Sequence, residues 1–207
     1  LVVLENSCNK GGGSYYTLDE IAPIRELCID RGLLLHLDGA RLFNVLVETG
    51  ESTQDVGKLF DSISICISKG LGAPVGSLLI GTEKMIRQAR RYRKVMGGGM
   101  RQAGYLAAAC KYALTHNVTR LKVDNDRAKE IGKVLEAQMY IANVRPVKTN
   151  IVIFDLKGDQ TADDFLEKLK YHGILASAFG PQTVRFVTHL DYTEAMHNVL
   201  LEVLTHL

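Results

Sequence analysis

The chain has 207 residues, 46% hydrophobic and 23% charged, a balance that excludes a disordered, collagen-like or low-complexity polymer. Its formal net charge is only +2 with basic residues scattered, and no apolar stretch reaches the roughly 18 residues needed to span a bilayer. Neither nucleic acid nor a membrane is therefore an expected partner, and the one basic run, RQARRYRK at positions 87–94, reads as a solvated helix face. The four cysteines, Cys8, Cys28, Cys66 and Cys110, show no CxxC or zinc-like spacing. Three of them lie in apolar runs, so they are expected to be buried free thiols in a reducing, cytoplasmic setting, with no metal site.

The chain opens at Leu1, without a methionine, inside the strand-like run LVVLEN, and it reads as a piece whose beginning lies upstream. GGGSYY is a loop. Thr17-x-x-Glu20 is a capping box that opens an amphipathic helix running to about Asp30 and closed by Gly32. LLLHL is a buried strand ending at Asp38 and Gly39, and RLFNVLVET is a helix closed by Gly50. Ser52-x-x-Asp55 starts another helix, and SISICIS, residues 62–68, is a strand rich in β-branched residues. After KGLGAP comes a further strand, SLLIGT. Thr82 caps the basic helix, and Gly97–Gly99 break it. Residues from Arg101 to about Gln138 are nearly all helical, with a break near His116 and Asn117.

Strands alternating with helices imply βαβ units and a sheet covered on both faces. The remainder changes character: strand TNIVIF, a helix over 161–172, strands near 174–176 and 183–187, and a last helix capped by Asp191-x-x-Glu194. The expected organisation is an α/β domain over residues 1–117 and a small C-terminal α+β domain over 118–207.

In open α/β sheets ligands collect at the carboxyl ends of the strands, and two strands here end on reactive groups. LLLHL delivers Asp38 and SISICIS delivers Lys69. Each alone has a plain reading, a helix cap for the aspartate and a solvated loop residue for the lysine. Together they suggest more. Lys69 is flanked by SISICIS and GLGAPVG, so its stem is expected to enter a confined apolar place where desolvation lowers its pKa from about 10.4. Such a lysine can form a Schiff base, and pyridoxal phosphate requires both that lysine and an acid against its pyridine nitrogen. Asp38 is the candidate acid. A rival reading of Gly70-x-Gly72-x-x-x-Gly76 as a dinucleotide-binding turn fails, because Pro74 and a strand follow where a helix is needed. His36 reads as a packed strand histidine and His189 as local structure. Glu5 and Asn6 are equally consistent with a turn and with an approach to the site.

HLDGARLFN, SKGLGAPVGS, the run from RK through GGGMRQAG, and VRFVTHLD resemble the signature segments of the threonine aldolase family, in that family's order and across essentially the whole chain. The resemblance implies a fold-type-I pyridoxal-phosphate enzyme: a partial large α/β domain with a mixed sheet, followed by the small domain. It also implies a lyase that splits threonine into glycine and acetaldehyde. By the resemblance Lys69 carries the cofactor and Asp38 pairs with the pyridinium nitrogen. Arg41 lies beside cofactor and substrate, Arg185 holds the substrate carboxylate, and Arg101 contacts the phosphate from a neighbouring subunit of a homo-oligomer, a dimer or tetramer. The family's glycine-rich phosphate cradle and ring-stacking histidine belong to an upstream part, so residues 1–207 alone are expected to bind the cofactor weakly. Another pyridoxal-phosphate β-eliminating lyase, or a non-catalytic remnant serving assembly, remains a reading of the same residues.

Overall fold

The structure, a computed structural model, describes residues 1–207. The chain divides into two compact units, one made of Leu1–Ser7 and Tyr15–Arg120, the other of Cys8–Ser14 and Leu121–Leu207.

The first unit is built on β1 (Val2–Glu5), β2 (Leu35–Gly39), β3 (Ser62–Cys66) and β4 (Ser77–Gly81), hydrogen-bonded in that order. The first three strands are parallel and β4 is antiparallel to β3, which makes the sheet mixed. Five helices belong to it: α1 (Leu18–Asp30), α2 (Leu42–Thr49), α3 (Thr53–Leu59), α4 (Glu83–Val95) and α5 (Gly104–His116). Side chains alternate across a strand, so Leu35 and Leu37 of β2 and Ile63 and Ile65 of β3 are buried while the residues between them are half-buried. Local signals fix the helix starts. Thr17 and Glu20 form the expected reciprocal capping box, and Ser52 and Thr82 each accept a backbone N–H three residues on. Helix α4, which holds the basic run, buries no residue. Strand β4, at the edge of the sheet, is apolar yet exposed along its whole length.

An ion pair ties α1 to this sheet. Arg25 donates twice to Asp61, at 2.6 and 3.2 Å, and the same carboxylate accepts the N–H of Leu35 at 2.8 Å where β2 begins. The Arg25 hydrogen bond, helped by the Leu35 N–H, holds the Asp61 carboxyl below the usual carboxylate range. A depressed folded-state pKa contributes stability that is present above the unfolded value of about 3.9 and is lost as pH falls through the folded value. The Tm difference between the native protein and Asp61→Asn should therefore be largest near neutral pH and shrink below about pH 4. A difference unchanged between neutral and strongly acidic solution would contradict this assignment.

The second unit contains α6 (Leu121–Glu136), β5 (Ile141–Val144), β6 (Ile151–Leu156), α7 (Ala162–Tyr171), β7 (Ser177–Ala178), β8 (Thr183–Val187) and α8 (Glu194–His206). Its sheet is antiparallel, in the order β5-β6-β8-β7. Ile131 and Leu135 of α6, Phe165 and Leu169 of α7, and Leu200 and Leu204 of α8 pack in one core with Val152, Phe154, Val184 and Phe186 of the sheet.

Several expectations are corrected here. Strand β7 falls at Ser177–Ala178 and not at 174–176, since Gly173 turns the chain and Leu175 points to solvent. Helix α8 is capped by Thr193, which accepts the N–H of Met196, while Asp191 lies in the preceding turn. Strand β5 carried no signal strong enough to be expected. Strand β3 stops at Cys66, two residues earlier than its apolar pattern. All four thiols are free, but only Cys28 is buried; the other three are half-buried. No helix is long and apolar enough to cross a membrane.

Candidate active site

Parallel pairing places the ends of β1, β2 and β3 on one side of the first sheet, with Glu5 opposite Asp38 and Asp38 opposite Ser64. Asp38 is half-buried and accepts the N–H of Ala40 at 3.1 Å. It does not cap α2, whose N-cap position is Arg41 with no side-chain capping bond, so the plain reading of this aspartate fails. Gly39 permits the turn into α2 by close approach: a Cβ there would stand 2.8 Å from the carbonyl oxygen of Ser64 on the neighbouring strand. Arg41, half-buried, follows two residues later and so shares this end of the sheet with Asp38.

Beyond β3 the chain forms a braced turn that carries Lys69. Gly72 donates to the carbonyl of Lys69 at 2.8 Å, and Ile67 and Leu71 are buried beneath it. Asn117 and Arg120, after α5, donate to the carbonyls of Leu71 and Gly70 at 2.8 and 3.1 Å. The backbone of the turn is thus held at several points while the lysine side chain is exposed. The apolar confinement expected from the neighbouring sequence is not met: β3 ends at Cys66, Ile67 still packs inward, and Lys69 lies exposed in the turn. Its charge reaches Cys66. Burial raises that thiol, but hydrogen bonding with Ser68 and the Lys69 charge more than offset it, and the net shift is downward.

Neither glycine run supplies a phosphate cradle. The N–H groups of Gly12, Gly13 and Ser14 donate to Asn9, Cys8 and Gly11, and those of Gly97 and Gly98 donate to Lys94 and Arg93. Arg101, exposed in the turn before α5, stays available as a cation. Asn6 resolves to a turn role, since its buried amide accepts from the N–H of Tyr16 and donates to the carbonyl of Tyr16, both at 2.9 Å. His36 bonds Ser62 at 2.7 Å and His189 accepts the N–H of Asp191, so both are locally engaged.

Arg185 belongs to the second unit. It sits on β8 opposite Ile153 of β6 and Ser177 of β7. Its Nη1 donates to Asn9 Oδ1 at 2.9 Å, and its guanidinium carbon lies 5.1 Å from the centroid of the Phe179 ring. Its Nε is buried and has no partner. The side chain borders a cavity of about 320 Å³ shared with Ile174, Ser177, Thr188, His189 and Tyr192. A buried donor without an acceptor is costly unless a ligand completes it, and a planar cation beside a cavity suits a carboxylate. Asn9 and Phe179 were not singled out from the sequence, where nothing in their spacing relates them to Arg185.

This architecture, a mixed α/β sheet with an acid and a lysine at its carboxyl ends followed by an antiparallel α+β unit, is that of the fold-type-I pyridoxal-phosphate enzymes. It superposes on a candidate aromatic amino acid β-eliminating lyase/threonine aldolase of Exiguobacterium with a TM-score of 0.84 at 25% identity, covering 99% of this chain and 61% of that one. A threonine aldolase of Leishmania major shares the fold with a TM-score of 0.79 at 22% identity, over 99% of this chain and 60% of that one. The beta-eliminating lyase family profile matches residues 1–159, and the chain belongs to that family. Among curated relatives, a low specificity L-threonine aldolase of Escherichia coli strain K12 is 41% identical over 206 residues, 100% of this chain and 59% of its own length. Low-specificity L-threonine aldolase 1 of Arabidopsis thaliana is 37% identical over 196 residues, 93% of this chain and 55% of its own. The chain thus spans somewhat over half the length of the relatives it matches.

The residues present fit the ring end of pyridoxal phosphate. A carboxylate with one oxygen not engaged by Ala40 stands in β2 near its end, and a primary amine lies in the turn that follows the neighbouring β3. For the phosphate the fit is limited to the cation of Arg101, since the glycine N–H groups named above are used within their own turns.

Proposed function

We propose that this chain carries the cofactor lysine, the ring acid and the carboxylate anchor of a pyridoxal-phosphate lyase. The reaction is retro-aldol cleavage of L-threonine, and of L-allo-threonine, to glycine and acetaldehyde in a homo-oligomeric enzyme, a dimer or tetramer. On this reading residues 1–117 form part of the large cofactor domain and 118–207 the small domain. The observation that carries the reading is Lys69 and Asp38 emerging at the same end of adjacent strands, in a chain whose relatives are named as threonine aldolases.

Pyridoxal phosphate, when bound, supplies an electron sink for cleavage of a bond at the carbon bearing the amino group. Lys69 would be the amine that holds it. Asp38 keeps a proton on the pyridine nitrogen through a carboxylate, which an amide could not do. Arg185 would hold the substrate carboxylate through its planar fork. Arg41 flanks the substrate and Arg101 supports the phosphate.

The test is product identity. Acetaldehyde and glycine from threonine support the reading, whereas a keto acid and ammonia as sole products would replace it with β-elimination, the chemistry that names the family. Arg185→Lys should raise the substrate KM roughly tenfold with little change in kcat, because a point charge replaces a fork in an interaction made in ground and transition states alike. An unchanged KM would place the carboxylate elsewhere.

A further inference from the structure

We infer that Asn9 is a positioning residue for Arg185, holding the guanidinium in a fixed orientation while leaving its charge unneutralised for a substrate carboxylate. The inference rests on the reading of Arg185 given above.

Asn9 lies early in the chain, yet the segment Cys8–Ser14 belongs to the second unit, and its construction explains how a short loop becomes rigid there. Cys8 and Ser14 bridge each other, with Cys8 N–H donating to the carbonyl of Ser14 and Gly13 N–H donating to that of Cys8, both at 2.8 Å. Thr149 Oγ1 donates to the buried carbonyl of Gly13 at 2.9 Å, and Arg145 donates to that of Lys10 at 3.2 Å. Gly12 and Gly13 adopt φ of 72° and 80°, in the left-handed region, and a Cβ at Gly13 would overlap Thr149 Oγ1. The glycine run therefore closes the loop against the second unit, which is why its N–H groups are spent internally. What the closed loop presents outward is the Asn9 amide, 2.9 Å from Arg185 Nη1.

The choice of side chain has a chemical consequence. A carboxylate at position 9 would form a bidentate ion pair with Arg185 and compete with the substrate for the same fork. An amide oxygen accepts one hydrogen bond and leaves the full positive charge in place. Phe179 restrains the guanidinium plane and Asn9 restrains its rotation, and neither neutralises its charge. Orientation set before binding lowers the ordering cost that a long side chain otherwise incurs.

The experiment compares Asn9→Asp, Asn9→Ala and Asn9→Gln in the enzyme reconstituted with pyridoxal phosphate, with Arg185→Ala as control. Steady-state kinetics on threonine are measured together with the Tm shift produced by glycine. Asn9→Asp, nearly isosteric, should raise KM by about tenfold or more with kcat within a few-fold, and should lose most of the glycine-induced Tm shift. Asn9→Ala should raise KM less, since it loosens the fork without neutralising it, and Asn9→Gln should restore part of the loss. If Asn9→Asp and Asn9→Ala leave KM unchanged, or only lower the ligand-free Tm, Asn9 is a loop residue and the inference is overturned. Should Arg185→Ala also leave KM and the glycine shift untouched, the carboxylate anchor itself falls, and the inference with it.

Discussion

Asp38→Asn is expected to reduce turnover by about two to three orders of magnitude, the scale of losing one preorganised electrostatic partner, while the fold stays intact. The two side chains have nearly the same shape, and an asparagine oxygen can still accept the N–H of Ala40 that the aspartate accepts at 3.1 Å. What changes is charge. A carboxylate stabilises a protonated pyridine nitrogen, and without that proton the ring is a poor electron sink. Because the effect lies in the chemical step, kcat should fall together with kcat/KM while the Tm of the cofactor-free protein changes little. Turnover within a few-fold of the native value would remove Asp38 from the site.

Phe154→Ala should be among the most damaging changes to the second unit, costing about 3–5 kcal/mol, the range for truncating a buried aromatic residue. Phe154 is fully buried on β6, and its ring makes edge contacts with Phe165 at 5.7 Å and Phe186 at 5.1 Å. It thereby joins β6 to α7 and to β8, the strand that carries Arg185. Those neighbours come from two separate elements of a packed core, α7 and β8, and cannot collapse freely into the gap, so the cavity penalty adds to the lost transfer energy. Denaturant unfolding gives the comparison directly, and a loss below about 1 kcal/mol would contradict this account of the core.

Much of the first unit is legible in the sequence because its signals are local. An N-cap threonine or serine accepts a backbone N–H three residues on, a contact made within one turn, as at Thr17, Ser52 and Thr82. Residues that follow parallel strands share one end of the sheet, so the strand pattern alone relates Asp38 to Lys69. The limits are equally physical. Apolar neighbours in sequence promised burial for Lys69, and the alternation that buries Ile63, Ile65 and Ile67 would continue inward to it, but β3 ends at Cys66 and the turn that follows leaves Lys69 exposed. Asp191-x-x-Glu194 and Thr193 both resemble helix starts within three residues, and only the geometry of the turn at His189 selects Thr193. The pairing of Asn9 with Arg185 spans 176 positions and depends on a loop from the start of the chain packing in the second unit, for which no periodicity gives warning.

The central claim is that Lys69 is the residue that carries pyridoxal phosphate. Reduction of the reconstituted enzyme with borohydride, followed by proteolysis and peptide mapping, tests it most directly. A single phosphopyridoxyl label is expected, on the peptide containing Ser68-Lys69-Gly70. A label on Lys58, Lys84 or Lys94, with Lys69 unmodified, would contradict it.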